Sequence, residues 1–292
     1  MDGVIVLNKP LGKTSHDMVS FIRRLIGVKK VGHTGTLDPY AGGVLPICIG
    51  RATKAADMLT ATDKRYRAEL ILGKTTDTQD AHGKVLSESS VDVTDDLICD
   101  RIKSFVGDIE QIPPMYSAIK KDGRKLYELA REGIEIEREA RKIKIYSIDV
   151  EEIRRSDAVS IVIDVFCSKG TYIRTLCEDI GKSLGTGAYM NALTRTASGN
   201  FCIEKSYTCE ELTEMHCKGE IDRALIKVDN LFEYDKITVK DIQAKRLKDG
   251  VRISADGICE GEMYRVYDTR DGFLSISECR EGRLVLKKAF WN

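Results

Sequence analysis

One carboxylate stands among apolar residues in a glycine-rich segment near the amino terminus. Asp38 lies within residues 32–46, and no lysine or arginine is next to it in the sequence. A carboxylate in such a setting can act as a nucleophile, or it can stabilise a positive charge that develops on a substrate. A local alternative exists, because Asp38-Pro39 is also a common way to begin a turn.

A candidate partner for this carboxylate lies in residues 167–174, which read as a strand end, a tight turn and a helix start. Tyr172 and Arg174 fall outside the apolar positions of that helix. Arg174 could also be solvated and pair with Glu178 one turn further on, an orientation worth only a few tenths of a kcal/mol. The spacing alone leaves both alternatives open.

Several familiar motifs fail when their spacing is tested. Gly-Lys-Thr occurs at 12–14 and 73–75, but the glycine that a P-loop needs five positions earlier is replaced by Leu7 and Ala68. Residues 15–17, Ser-His-Asp, have the types of a catalytic triad, yet consecutive helical residues point in different directions. They indicate a capped helix start instead.

Composition excludes other classes of protein. The 46 Lys and Arg residues balance the 46 Asp and Glu residues, so an anionic partner must be bound by local patches. No apolar run approaches the roughly 18 residues of a membrane span, and the start does not read as a signal peptide. We therefore expect a cytoplasmic protein.

Nine cysteines without a C-x-x-C pair predict free thiols, and Cys209, His216 and Cys217 have the wrong spacing for zinc.

The elements that must position these residues alternate between strands and isolated helices, which predicts an α+β fold. A capping-box-like start at Thr14 opens a helix that Gly27 ends. Five glycines and two prolines in residues 31–50 predict a structured, partly buried loop around Asp38. The other predicted elements are strands at 3–7, 64–73, 142–153 and 158–167, helices at 95–106 and from about 171, and a basic hairpin at 118–125 turning at Asp122-Gly123.

The last sixty residues have a different pattern of predicted elements. A short helix at 241–248 is followed by closely spaced strands with turns at Asp271-Gly272 and Glu281-Gly282, the pattern of a small β-rich module. We therefore predict a first domain over 1–232 and a second over 233–292.

Four ordered segments resemble one known family. They are residues 8–15 (Asn-Lys-Pro-Leu-Gly-Lys-Thr-Ser), the loop 33–45, Lys64-Arg65-Tyr66 leading to Gly73, and residues 167–174. Their order and spacing closely resemble the motifs of the TruB family of tRNA pseudouridine synthases. Residues 113–118 and 126–128 resemble its bacterial branch, so the resemblance covers essentially the whole chain.

This resemblance implies conversion of uridine 55 in the TΨC loop of tRNA to pseudouridine. The base is flipped out, the N1–C1′ bond breaks, the uracil rotates and a C5–C1′ bond forms, with neither cofactor nor metal. It further implies a mixed, largely antiparallel sheet flanked by helices, an RNA-gripping insertion at about 108–140, and a PUA-like second domain that contacts the acceptor stem. The expected partner is tRNA, bound by a monomer that has no obligate protein partner and no membrane association.

The resemblance also assigns roles to individual residues. Asp38 matches the catalytic aspartate, and Arg174 matches the arginine that keeps it ionised and oriented. The remaining matches are Tyr66 for stacking and proton transfer, Tyr172 and Leu193 for the nucleotide pocket, and His33 for filling space left by extruded bases. Lys9 and Pro10 are expected to support the loop by packing. Whether Asp38 attacks C1′, attacks C6 or supports a glycal route stays open.

Two rival functions remain. The first is a tRNA-binding or tRNA-folding protein without catalysis, which would gain nothing from a carboxylate facing phosphates. The second is a hydrolase or phosphotransferase with an aspartate nucleophile, which predicts further carboxylates for a metal. The nearest acidic neighbours of Asp38 along the chain are Asp17 and Asp57.

Overall fold

The structure, a computed structural model, describes residues 1–121 and 123–291. Its α-helices are α1 (Ser15–Ile26), α2 (Ala56–Thr60), α3 (Asp95–Lys103), α4 (Leu126–Arg131), α5 (Ile173–Ser183), α6 (Cys209–Cys217) and α7 (Asp241–Lys248). Its strands are β1 (Gly3–Lys9), β2 (Val31–His33), β3 (Ala41–Ile49), β4 (Lys64–Leu72), β5 (Lys74–Thr76), β6 (Val85–Glu88), β7 (Gly107–Gln111), β8 (Lys120–Lys121), β9 (Arg124–Lys125), β10 (Arg141–Arg155), β11 (Val159–Cys167), β12 (Ala188–Ser198), β13 (Phe201–Cys202), β14 (Ile226–Lys227), β15 (Asp235–Thr238), β16 (Met263–Tyr267), β17 (Phe273–Arg280) and β18 (Arg283–Ala289).

A ten-stranded sheet forms the centre of the molecule. Eight strands follow the order β14-β1-β3-β12-β4-β11-β10-β7, while β2 pairs with β3 and β13 pairs with β12. The strands pair antiparallel except for β3 and β12, which run parallel. The prediction of an α+β fold with a mixed, largely antiparallel sheet is therefore confirmed.

Helix α1 begins and ends where its sequence indicates. Thr14 and Asp17 form a reciprocal capping box, and Gly27 closes the helix in the left-handed region at a φ of 68°. The apolar face of the helix packs into the main core, where Met18 and Ile22 are buried. This helix fixes the chain direction just before the segment that carries Asp38.

The predicted loop at 31–50 is wrong at both ends, because residues 31–33 form β2 and most of the second half is a strand. Residues 41–49 form β3, whose nine residues are all buried. A strand buried on both faces shows no polar–apolar alternation, so glycine and proline content misled the prediction. Gly43 is required here, because its φ is 96° and a Cβ would lie 2.3 Å from the Arg195 carbonyl oxygen. The loop that remains, residues 34–40, carries Asp38.

A separate four-stranded sheet, in the order β15-β16-β17-β18, follows in the last part of the chain. The predicted helix and both turns are confirmed, and Asp271 and Glu281 adopt positive φ values. Ile276 of this sheet and Phe290, which directly follows β18, share an apolar cluster with Val4 and Val44 of the large sheet. The two sheets therefore pack against each other.

Smaller differences concern element ends. Helix α3 ends at Lys103 rather than at 106, and α5 begins at Ile173. The basic hairpin is confirmed by the pairing of β8 with β9, although Asp122 of its predicted turn lies outside the described residues.

Throughout 1–121 and 123–291, no helix is long and apolar enough to cross a membrane. All nine cysteines, each within those ranges, are free.

Candidate active site

Asp38 and Arg174 meet at the end of the large sheet. The Arg174 Nε lies 3.0 Å from the Asp38 Oδ2. The arginine side chain is only 6% exposed, whereas the aspartate side chain is 42% exposed. The alternative in which Arg174 pairs with Glu178 is wrong, because Glu178 instead pairs with Lys182 and accepts a hydrogen bond from Gln79. A buried guanidinium thus holds a carboxylate that a substrate can reach.

Backbone carbonyls fix the rest of the Arg174 guanidinium. Its Nη2 donates to the Tyr116 carbonyl at 2.7 Å, and its Nη1 donates to the Thr78 carbonyl at 3.3 Å. The Asp80 carboxylate lies 3.9 Å from the same Nη1. These partners leave Nε directed at Asp38. Sequence reasoning missed Thr78 because a backbone acceptor leaves no mark in residue type, and it missed the Asp80 carboxylate because that residue is distant from Asp38 along the chain.

Lys9 supports the Asp38 loop by hydrogen bonds rather than by packing. Its Nζ donates to the carbonyls of Pro10 (2.9 Å), Lys13 (2.6 Å) and Pro39 (3.1 Å), so the residue that follows Asp38 is bound to β1. Burial lowers the pKa of Lys9 to about 8, and the nearby Asp38 carboxylate opposes that shift. Lys9 is therefore a buried cation that shapes this loop.

Tyr66 and Arg195 face each other across neighbouring strands. They are partners in the β4–β12 register. Burial raises the pKa of Tyr66, the adjacent Arg195 charge opposes that rise, and the phenol is held in its neutral form. Arg195 is fully buried and donates to the carbonyls of Val44 at 2.7 Å and Gly35 at 3.0 Å. Sequence reasoning did not assign Arg195 a role, although a charged residue in an apolar strand was the available signal.

The other predicted pocket residues lie on elements next to this pair. Gln111 binds the backbone of Tyr172 twice, accepting from its N–H at 2.8 Å and donating to its carbonyl at 3.0 Å. Burial also raises the pKa of Tyr172. Leu193 is buried in β12 two residues before Arg195, so both side chains point to the same face of the sheet.

His33 lies in β2 close to the Arg195 charge. Burial lowers the pKa of His33, and the charges of Arg195 and His16 act in the same direction. Among the described residues, its buried Nδ1 has no hydrogen-bond partner. His33 is therefore a neutral imidazole.

The metal-dependent rival can be compared with this geometry. Within residues 1–121 and 123–291, no group of three or more His, Cys, Asp or Glu side chains is arranged to hold a metal ion. The carboxylate nearest to the Asp38–Arg174 pair, Asp80, is already directed at the same guanidinium. This arrangement is that of a carboxylate oriented by arginine.

Comparison with known proteins identifies the family. Residues 23–173 match the profile of the TruB family pseudouridylate synthase N-terminal domain. The chain belongs to the TruB family. Residues 174–245 match the profile of the tRNA pseudouridylate synthase B C-terminal domain. The predicted resemblance is thereby confirmed, and so is the expectation of a pseudouridine synthase.

Relatives of this TruB family member cover nearly all of its length. A tRNA pseudouridine synthase B of Clostridium perfringens is 46% identical over 99% of this chain and 98% of its own. One from Alkaliphilus oremlandii is 48% identical over 87% and 83%. Among solved structures, a Cbf5-Nop10-Gar1 complex superposes with a TM-score of 0.74 at 28% identity, covering 99% of this chain and 85% of that one.

Proposed function

We propose that this TruB family enzyme converts uridine 55 in the TΨC loop of tRNA to pseudouridine. The single observation that carries the proposal is the contact between the exposed Asp38 carboxylate and the buried Arg174 guanidinium at 3.0 Å. The names of its bacterial relatives, tRNA pseudouridine synthase B, support tRNA as the substrate. A protein that only binds RNA would gain nothing from a carboxylate presented to phosphates.

Asp38 is the group that we assign to the reacting centre. Cleavage of the N1–C1′ bond develops positive charge on the sugar, which a fixed carboxylate stabilises either by charge or by covalent attack. Arg174 orients that carboxylate, because its two Nη atoms are bound to backbone carbonyls while its Nε contacts Asp38. Substrate and product are isomers, so the proposed reaction requires no redox partner and no group donor.

Tyr66 has two tasks in this proposal. Its ring stacks on the flipped uracil. Once the new C5–C1′ bond has formed, its neutral hydroxyl takes part in moving the proton that C5 loses, and N1 carries a proton in the product. The raised pKa of Tyr66 supports the neutral hydroxyl. Arg195 lies opposite Tyr66 in the neighbouring strand and supports it from that side.

The remaining pocket residues bind the extruded nucleotide and replace it in the loop. Tyr172 and Leu193 contact the flipped base, and His33 fills the space that extruded bases leave. Base extrusion costs a few kcal/mol, and each aromatic stack returns about 1–3 kcal/mol. The neutral state of His33 supports a role in packing rather than in binding phosphate.

The rest of the tRNA is bound by two outlying parts of the chain. The insertion at 108–140 grips the RNA through Lys120, Lys121, Arg124 and Lys125, and the domain at 233–292 contacts the acceptor stem in the manner of a PUA domain. The strands of the small sheet all lie within that second domain, which supports a division after residue 232. We further propose that the enzyme works in the cytoplasm as a monomer.

The proposal is tested by incubating the purified protein with an unmodified tRNA transcript and mapping pseudouridine at nucleotide resolution. A transcript with cytidine at position 55 serves as the control. We expect pseudouridine at position 55 alone. Pseudouridine elsewhere would contradict the assigned position, and tight binding of the transcript with no conversion would favour the non-catalytic alternative.

A further inference from the structure

Two loops meet at the rim beside Asp38 and are joined there by a pair of aromatic rings. Tyr40 lies two residues after Asp38, and His82 lies in residues 77–84 between β5 and β6. Their ring centroids are 3.4 Å apart, with 22° between the planes. Tyr40 is 55% exposed and His82 is also exposed, so this stack lies at the surface.

Each loop is attached separately to the rest of the chain, next to its ring. The Asp38 loop is bound to the start of the chain, where the Gly12 N–H donates to the Pro39 carbonyl at 2.8 Å. The 77–84 loop is bound to β12, where the Ala81 N–H donates to the Met190 carbonyl at 2.9 Å. These two attachments run to different parts of the molecule, and neither joins one loop to the other.

That distance matters because Arg174 binds both loops at once. Its Nε reaches the Asp38 carboxylate at 3.0 Å while its Nη1 donates to the Thr78 carbonyl at 3.3 Å. A guanidinium is planar and rigid, so both contacts persist only while the loops keep their separation. A misplacement of about 1 Å at a reacting group can cost about 10²-fold in rate.

We propose that Tyr40 and His82 form an aromatic clasp that sets the position of Asp38 against Arg174. Both are positioning residues, because the clasp acts on the reaction through Asp38. This inference rests on the proposed function, since it concerns the placement of the carboxylate assigned there. The rings cover one face of each other, which favours a clasp over a platform for an RNA base.

The test compares variants that remove a ring with variants that keep one. His82→Ala and Tyr40→Leu remove a ring, whereas His82→Phe and Tyr40→Phe preserve the stack. His216→Ala, at an exposed histidine on α6, is the matched control. Single-turnover rates at saturating enzyme are measured on the tRNA transcript, and Kd for tRNA is measured separately.

We expect His82→Ala and Tyr40→Leu to lower the single-turnover rate about three- to tenfold, as expected for removal of one aromatic pair, with Kd unchanged. Both Phe variants should keep wild-type rates, and the double variant should be no slower than either single one. Equal losses in the Ala and Phe variants at position 82 would overturn the clasp. So would weaker tRNA binding by Tyr40→Leu alone, which would identify a base-stacking platform.

Amide hydrogen exchange separates failure of the clasp from failure of the proposed function. In the free protein, Tyr40→Leu should speed exchange in residues 77–84 and leave exchange in α6 unchanged. This readout needs no turnover, so it holds even if the wild-type protein does not modify tRNA. Unchanged exchange in residues 77–84 would overturn the clasp directly.

Discussion

The cations around Asp38 and the cations of the basic hairpin contrast sharply in their surroundings. Lys9, Arg174 and Arg195 are buried, and most of their hydrogen bonds go to backbone carbonyls. The hairpin cations (Lys120, Lys121, Arg124 and Lys125) are exposed or half-exposed. The first group uses its charge to fix backbone geometry, whereas the second lies at the surface, where Arg124 pairs with the exposed Glu132 carboxylate and Lys121 donates to the Glu137 carbonyl.

This contrast explains how a chain without net charge can serve a nucleic acid. The three buried cations order the site, and under the proposed function the exposed hairpin supplies the local attraction for phosphate. Loss of a buried cation removes hydrogen-bond donors from buried carbonyl groups, which lowers the stability of the fold. Loss of an exposed cation changes stability little, because solvent screens its interactions. Substitutions in the two groups should therefore change different measurable quantities.

Tyr66, the residue opposite Arg195, should show the largest effect after Asp38 itself. If its hydroxyl mediates proton transfer, Tyr66→Phe should lower single-turnover rates about 10²–10⁴-fold with little change in binding. Tyr66→Leu should also lose about 1–3 kcal/mol of stacking, measured as weaker tRNA binding. A Phe variant that reacts at the wild-type rate would restrict Tyr66 to stacking.

Arg174→Lys tests whether the buried group acts by geometry or only by charge. Lysine keeps the charge but cannot bind Asp38 and two carbonyls in one plane. We expect the rate to fall about 10²-fold, as for a misplaced catalytic group, while Kd for tRNA changes less than about threefold. Wild-type rates in this variant would show that charge alone suffices.

Lys9→Met should act on stability, with Lys13→Met at an exposed neighbour as the control. Removing the Lys9 donor takes this partner from the Pro10 and Lys13 carbonyls and leaves Pro39 with the Gly12 N–H, so the free energy of unfolding should fall by about 1–3 kcal/mol in urea titrations at pH 7. Equal stability of both variants would refute a structural role for Lys9.

The wild-type protein and Lys9→Met also give a test of the pKa of Lys9. Burial lowers the pKa of Lys9 to about 8, below its ordinary value of 10.5. The unfolded chain therefore binds more protons at this site than the folded chain between those values, and stability rises with pH there. The gap in unfolding free energy between wild type and Lys9→Met should widen from pH 8 to 10.5. A constant gap would contradict the lowered pKa.

The hairpin should give the smallest effect on chemistry. Replacing Lys120, Lys121, Arg124 and Lys125 with serine should weaken tRNA binding and reduce the slope of log K against log salt, by about 0.7–0.9 for each phosphate that the variant no longer neutralises. Rates at saturating enzyme should stay within about twofold of wild type, because phosphate binding positions the RNA outside the reacting centre. An unchanged salt slope would show that the hairpin does not grip RNA.

The sequence predicted some of these features better than others, for physical reasons. Capping residues predicted α1, and the strand 64–73 and the late turns were equally local signals. Strand β3 was missed because burial on both faces removes alternation. Asp38 and Arg174 could be proposed as a pair from their motifs. Lys9 and Arg195, by contrast, hold the Asp38 loop through the carbonyls of Pro39 and Gly35, which are distant in sequence and which no residue type reveals.

The most direct test of the central claim, that Asp38 is the reacting carboxylate, is the single-turnover rate of Asp38→Asn on unmodified tRNA together with its Kd. Asparagine keeps the size of the side chain and removes its charge, and most contacts of the large RNA interface lie elsewhere. We predict no detectable pseudouridine at position 55, with Kd within a few-fold of wild type. Appreciable pseudouridine formation by Asp38→Asn would contradict the claim.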